Sequence, residues 1–348
     1  MPQTQLTEFL KCGGFELRKW SSNHPSLLEN LQPEQRETQL PLQIDMDNSV
    51  KTLGIQWHPA KDIFTSFFYF SVQPNNNNKT VTKRVLLSDF AKLFDPLGRL
   101  APTIVLAKVM FQKFWLLGIS WDEALPLNFM EQWLSFRNDL QQLDKIQIHR
   151  CVVNSSTVTN YQLHGFCDSS ETAYAAVIYL RTECESGDVA VHLLCSKTKV
   201  APIKQISLPR LELCGATLLA RLMDAVNSSL LLSGNEVHAW TDSTVVLSWL
   251  IGHPNPWKTY VGNRASEIQD LIPPKHWKHV TSGDNPADCA SRGVSPSQLA
   301  THPLWWHGPK WLQADSSAWI SLPQPTENSV AQLEQKSEKL PGYCKTRI

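Results

Sequence analysis

From residue 161 to residue 298, strand-like runs and helical periods follow one another in an order that limits the fold more than any other feature. YQLHGFCDSS, TAYAAVIYLRTE and DVAVHLLCSKTKV are three consecutive runs rich in β-branched and aromatic residues, with turns or loops between them. SLPRLELCGATLLARLMDAVNSSLLL (207–232) then reads as one long helix, with Pro209 near its start, where a missing N–H costs nothing. NEVHAWTDST is a fourth strand, TVVLSWLIG a short helix, KTYVGNRASEIQDLI another, and WKHVTSG (277–283) a fifth strand. NPADCASRG opens a last helix, with Asn285 as N-cap and Pro286 at the first helical position. The order β β β α β α α β α predicts a mixed five-stranded sheet with helices, an α/β domain of about 140 residues.

The N-terminal half is patterned differently. KTLGIQW (51–57) and IFTSFFYFSV (63–72) are strand-like, and QPNNNNKT (73–80) is a polar loop, read together as a hairpin with a disordered tip. In TKRVLLSDFAKLF the residues Leu86, Leu87, Phe90, Leu93 and Phe94 fall at helical spacing, and the turn DPLG (95–98) stops that helix. A second helix is expected from about Thr103 to Leu117 and a third over 127–145, so 81–150 reads as a small helical unit. The tail after about residue 313 reads as flexible.

Lys+Arg is 32 and Asp+Glu is 32, so net charge favours no class of partner and any basic surface must be local. A 42% hydrophobic chain with 18% charged residues is globular rather than disordered. The eight cysteines form no CxxC pair, which excludes a zinc framework and points to buried reduced thiols. MPQTQLTEFLKCGG has no signal-peptide pattern, and Lys108 and Lys113 interrupt the most apolar stretch. An intracellular protein, cytoplasmic or nuclear and neither secreted nor membrane-spanning, is expected.

Two apolar runs end in an aspartate followed by small hydroxyl residues: GFCDSS places Asp168 on the first strand, and WTDST places Asp242 at the close of the fourth. Glu212 lies early in the long helix, in RLEL, and Asp288 in the first turn of the last helix, in NPAD. One aspartate at a strand end is ordinarily a turn or cap residue. Four acids on four elements could meet at one end of a sheet. Clustered carboxylates repel and their pKa values rise on burial, so such a cluster calls for a hard cation. Two Mg²⁺ ions about 4 Å apart can activate a water and stabilise the leaving oxygen of a phosphodiester.

This order of acids resembles the type-1 ribonuclease H family as it occurs in LTR retrotransposon polyproteins. GFELRKWSSNHPSLL (14–28), KTLGIQWHPAKDIF (51–64), LLSDFAKLFDPLGRLAPTIVLAKVMFQKFW (86–115), ISWDEALP (119–126) and PLWWHGPKWL (303–312) further resemble the pol polyprotein of Bel/Pao retrotransposons, over about residues 14–312. The resemblance implies a reverse-transcriptase palm remnant over 1–72, a helical thumb or connection over 81–150, a ribonuclease H domain over 155–298, and a linker and tail over 299–348. It implies that Asp168, Glu212, Asp242 and Asp288 bind two Mg²⁺ ions, with Mn²⁺ as the alternative, and cut the RNA strand of an RNA–DNA hybrid. Where many members have a Gly-His loop, this chain reads SGDNPAD. Asp284 stands there as a competitor to Asp288, and His279 on the preceding strand is a weak substitute, better read as solvated.

Lys197, Lys199, Lys204 and Arg210 flank the sheet and the Glu212 helix. Lys258, Asn263 and Arg264 form a second polar-basic cluster beside Trp257 and Tyr260. Each could contact phosphate or stack on a base, or belong to a solvated face. No Asp-Asp pair occurs, so polymerase activity is not expected from the chain alone; the upstream polymerase half and the downstream integrase are read as absent. Two other readings stay open: a catalytically inactive nucleic-acid-binding remnant, and an aspartic peptidase. The second is disfavoured because DSS (168–170) and DST (242–244) lack the required glycine.

Overall fold

In the computed structural model the described residues are 2–38, 50–52, 55–66, 81–153, 158–230, 236–315, 319 and 329–336. They form two compact units. The first comprises residues 1–94 and 119–154, the second 95–118 and 155–348.

The first unit holds helix α1 (Pro2–Cys12) and an antiparallel sheet of β1 (Val50–Thr52), β2 (Ile55–His58), β3 (Ile63–Ser66) and β4 (Gln147–His149), in that order. The hairpin turn lies at 59–62, between β2 and β3; the expected tip at 73–80 lies outside the described residues. Helix α2 (Lys83–Phe90) is capped by Thr82, whose hydroxyl accepts from Val85 N at 3.4 Å. Helix α4 (Leu127–Asp139) runs on as a 3₁₀ turn to Lys145. Leu86, Trp133, Leu140 and Leu143 are buried at the centre of this unit. The buried Asp89 pairs with Arg137 at 3.5 Å.

The second unit is built on the sheet β7-β6-β5-β8-β9: Val189–Val200, Ala173–Cys184, Val158–Ser169, Glu236–Thr241 and Trp277–His279. The β5–β6 and β6–β7 pairs are antiparallel; β5–β8 and β8–β9 are parallel. Short turns suffice for the first three strands. The parallel pairs need crossovers, supplied by α5 (Leu208–Ser229) and then by α6 (Thr244–Ile251) and α7 (Thr259–Leu271). The five-stranded mixed sheet and its helices, read from the sequence, are the fold observed.

Helix α3 (Ala101–Leu116) is where the sequence grouping and the structure part. Its position in the chain groups it with 81–150, but it belongs to the second unit. Its apolar face, including Val105, Ala107 and Phe114, is buried. Its polar residues reach the edge strand β7: Gln112 Nε2 donates to Ala201 O at 2.6 Å and Lys108 Nζ to Thr198 O at 3.3 Å. The preceding DPLG turn is seated on the same strand, with Ser196 N donating to Leu97 O at 2.8 Å. Turn and helix together cover an edge that would otherwise present unpaired backbone.

One face of the sheet packs on α5. Much of the other face is covered by residues whose local pattern is that of a linker and flexible tail. Trp305, on α10 (Pro303–His307), is fully buried and donates from Nε1 to Arg99 O at 2.8 Å. Buried Arg181 donates to Leu312 O at 2.7 Å and Ala314 O at 3.0 Å. Trp311 and Trp319 pack against Trp240, with ring centroids 4.7 and 6.2 Å away. Local pattern cannot assign these residues, because their partners lie far upstream in the chain. Helices α8 (Ala287–Arg292), α9 (Pro296–Leu299) and α11 (Ser329–Gln332) complete the unit. Among the described residues no helix is long and apolar enough to cross a membrane. Of the seven described cysteines, all free, Cys167 and Cys289 are buried and Cys12 and Cys151 are exposed, so the expectation of buried thiols holds only for some.

Within the aromatic layer His164 is fully buried, stacked on His238 at 4.8 Å and accepting from Trp240 Nε1 at 3.3 Å. Burial, then the charges of His238, Arg181 and Lys278, hold His164 well below the ordinary histidine value. Burial and Lys278, against the opposing pull of Glu236, hold His238 down to about 4. Both rings are therefore neutral when folded, while the unfolded chain takes up protons near pH 6.5. Stability is full above that value and falls as the pH drops from about 6.5 toward 4. At pH 5 the expected loss from His238 is about 2 kcal/mol, and His164 adds to it in the same direction. Urea melts at pH 7.5 and 5 measure it, and His238→Gln should shrink the difference.

Candidate active site

The parallel register of β5 and β8 sets Cys167 opposite Thr241. Asp168 and Asp242 are the next residues on each chain segment, so both leave the carboxyl ends of adjacent parallel strands. In open α/β sheets ligands bind at such ends. Helix α5 comes close enough to bring Glu212 to the same end. A Cβ at Gly215 would lie 3.1 Å from Asp168 O, so the glycine permits the approach. Helix α8 brings Asp288. Its entry is fixed by Asn285, whose Oδ1 accepts from Ala287 N at 3.1 Å while Nδ2 donates to Cys167 O at 3.0 Å. The side chain of Asn285 thus both caps α8 and ties it to the strand that carries Asp168.

Each acid is held by one donor. The Ser291 hydroxyl donates to Asp168 Oδ2, and Ser243 Oγ donates to Glu212 Oε2 at 2.5 Å. Ser282 Oγ donates to Asp242 Oδ2 at 2.7 Å, and Arg292 Nε donates to Asp288 Oδ1. Among the described residues the second oxygen of each carboxylate has no hydrogen-bond partner. Asp168 is 6% exposed. Burial pushes its carboxyl up to about 7, aided by the charges of Asp242 and Asp288 and opposed by Ser291 and Arg292. Glu212 is also raised, by burial first and by Asp242, with Ser243 working against. Asp168 therefore senses the charges of Asp242 and Asp288, and Glu212 senses that of Asp242.

No three His, Cys, Asp or Glu side chains among the described residues are close enough together to hold a metal ion. The donor chemistry nevertheless fits a hard divalent cation: oxygen ligands only, each carboxylate with an uncommitted oxygen, and two of them raised by burial and like charge. Asp284 is turned to local use, accepting from Thr281 Oγ1 at 3.1 Å. His279, which the sequence suggests is solvated, is half-buried at the end of β9, and its Nδ1 is buried without a hydrogen-bond partner.

The basic candidates divide into two groups. Lys199, Asn263 and Arg264 line one pocket of about 240 Å³ between α5 and α7, together with Arg221 and Glu267. Arg264 lies over the Tyr260 ring at 3.7 Å. Lys197 and Lys204 are exposed, Lys197 two residues from Lys199 on the same strand. Arg210 and Lys258 are instead engaged by the chain's own residues 333 and 334. Sequence reasoning missed Ser282, Ser291, Arg292 and Arg221. The only local signal was the hydroxyl residue after Asp242, which proves to serve Glu212.

Residues 82–243 match the family model of the Pao retrotransposon-like RNaseH-like domain. The matched range includes Asp168, Glu212 and Asp242 and ends before Asp288. Among curated proteins none matches the sequence. Several solved structures are similar. The N-terminal RNase H domain of rv2228c from Mycobacterium tuberculosis, fused to maltose binding protein, is 16% identical, with 40% of this chain and 96% of that chain covered and a TM-score of 0.28. LC11-RNase H1 in complex with RNA/DNA hybrid is 11% identical, covering 36% and 88%, with a TM-score of 0.24. The foamy viral protease-reverse transcriptase in complex with dsDNA is 10% identical, covering 67% and 44%, with a TM-score of 0.23. Residues 82–243 therefore carry a Pao retrotransposon-like RNaseH-like domain, in agreement with the strand order of the second unit.

Proposed function

We propose that this protein is a metal-dependent endoribonuclease that cuts the RNA strand of RNA–DNA hybrids. The observation that carries the reading is the set of four acids, from β5, α5, the end of β8 and α8, in which Asp168 feels the charges of Asp242 and Asp288 and Glu212 that of Asp242, while each keeps one oxygen uncommitted. Asp168, Glu212, Asp242 and Asp288 would hold two Mg²⁺ ions, or Mn²⁺ in their place, after drawing closer together than they stand in this structure. Bound there, the ions would supply an activated water and charge stabilisation at the scissile phosphate. Ser291, Ser243, Ser282 and Arg292 orient the four carboxylates. Buried Asn285 and the close approach at Gly215 keep α8 and α5 in place on the strand ends.

The pocket lined by Lys199, Arg221, Asn263 and Arg264 suits backbone phosphates of the duplex, since three cations face it against one carboxylate, Glu267. Lys199→Gln is expected to weaken hybrid binding by roughly threefold and to lower the slope of log affinity against log salt by about 0.9. A salt titration with labelled hybrid reads both.

The test of the activity is cleavage of a hybrid labelled on either strand, with Mg²⁺, with Mn²⁺ and with chelator, beside the matching DNA duplex. Cutting confined to the RNA strand and dependent on the metal supports the reading. Salt-sensitive binding without cutting would favour the inactive nucleic-acid-binding alternative.

A further inference from the structure

We infer that residues 329–336 form a strap that competes with nucleic-acid backbone phosphates for Arg210 and Lys258, so that the chain masks part of its own duplex-binding surface. The inference rests on the proposed hybrid-cleaving role of the neighbouring acids.

Arg210 stands two residues before Glu212 in the first turn of α5, and Lys258 caps the start of α7. The Arg210 fork holds the Glu334 carboxylate through both oxygens, at 2.7 and 3.0 Å. Lys258 holds the same segment twice, from its backbone N to Glu334 O at 2.7 Å and from Nζ to Leu333 O at 2.7 Å. A carboxylate gripped by both arms of a guanidinium has the shape and charge of a bound phosphate edge. Tyr260 links this place to the basic pocket, with Arg210 over its ring at 4.7 Å and Arg264 at 3.7 Å.

The strap is held in a way that permits release. Further ties are polar: Trp249 Nε1 to Ala331 O at 3.2 Å, Lys336 Nζ to Asn255 O at 2.7 Å, and Lys336 N to Pro256 O at 2.8 Å, which with the Lys258 N bond forms the β-bridge between Trp257 and Gln335. Ala331 is buried, while Val330 and Leu333 remain 43% and 72% exposed. A contact built on one partly buried ion pair and a few backbone hydrogen bonds gives way to a polyanion offering several phosphates at once.

The experiment compares the full chain with Glu334→Gln for binding of a labelled RNA–DNA hybrid across a salt series, and follows hydrogen exchange of residues 329–336. The expected result is a Kd about three- to tenfold lower at low salt, and a log–log slope steeper by about one to two, since each further phosphate neutralised adds about 0.9. Arg210→Gln in the Glu334→Gln background should cancel the tighter binding. Adding hybrid to the unaltered chain should speed exchange at Lys258 N and Lys336 N, which the docked strap protects. Equal Kd and slope for the two chains, or slower exchange across the strap on adding hybrid, overturns the strap and leaves the nuclease reading standing. Hybrid binding by neither chain overturns both.

Discussion

Replacing Asp168 by Asn is expected to remove the proposed hybrid cleavage, by roughly 10³-fold or more, about 4 kcal/mol in the barrier, while the chain stays folded and becomes more stable in the absence of divalent cations. The first half follows from position, because Asp168 lies at the end of the central strand between the charges of Asp242 and Asp288. The second half follows from its raised carboxyl. A group that titrates near 3.8 when unfolded and at about 7 when folded costs stability as the pH rises through that interval, and the full cost is present above pH 7. Asn keeps the shape and the capacity to accept from Ser291 without the charge, so its melting temperature should exceed that of the unaltered chain at pH 8 under chelator. Added Mg²⁺ should raise the melting temperature of the unaltered chain more than that of Asp168→Asn. Asp242→Asn should match the loss of cleavage. Undiminished cleavage in either variant would place the chemistry elsewhere.

Gly98→Ala is expected to destabilise the second unit by about 3–5 kcal/mol. Gly98 closes the DPLG turn at φ +68°, where a side chain is strained, and an added Cβ would fall 2.7 Å from the Ser196 carbonyl carbon and closer still to its oxygen. Both obstacles are backbone, so neither can swing aside. The turn would have to lift from β7, breaking the Ser196 N to Leu97 O bond and loosening the start of α3. Gly187 makes the control: its φ of +85° is similar but nothing lies within 4 Å, so Gly187→Ala should cost only about 1–2 kcal/mol of backbone strain. Thermal melts of the two variants separate clash from conformation. Equal shifts would mean that the turn is not seated on the strand as described.

The order of strands and helices from 158 to 292 was legible in the sequence because each element announces itself locally, by period and by its flanking turn residues. The same local signals placed four acids on four elements. They could not say that Asp168 and Asp242 are neighbours; the parallel register of β5 on β8 decided that. They could not say that Asp168 is held by Ser291, 123 residues away, or that α3 belongs to β7 rather than to the helices beside it in sequence. The segment around Trp305 and Trp311 is a linker only by the resemblance its residues carry, yet it covers much of one face of the sheet. Arg210 and Lys258 read as open cations, until the structure sets residues 333 and 334 on them. Local pattern determined which elements form and where their ends fall. Which faces they bury, and therefore which distant side chains meet, was decided only when the elements packed, since burial rewards contacts without regard to their separation along the chain.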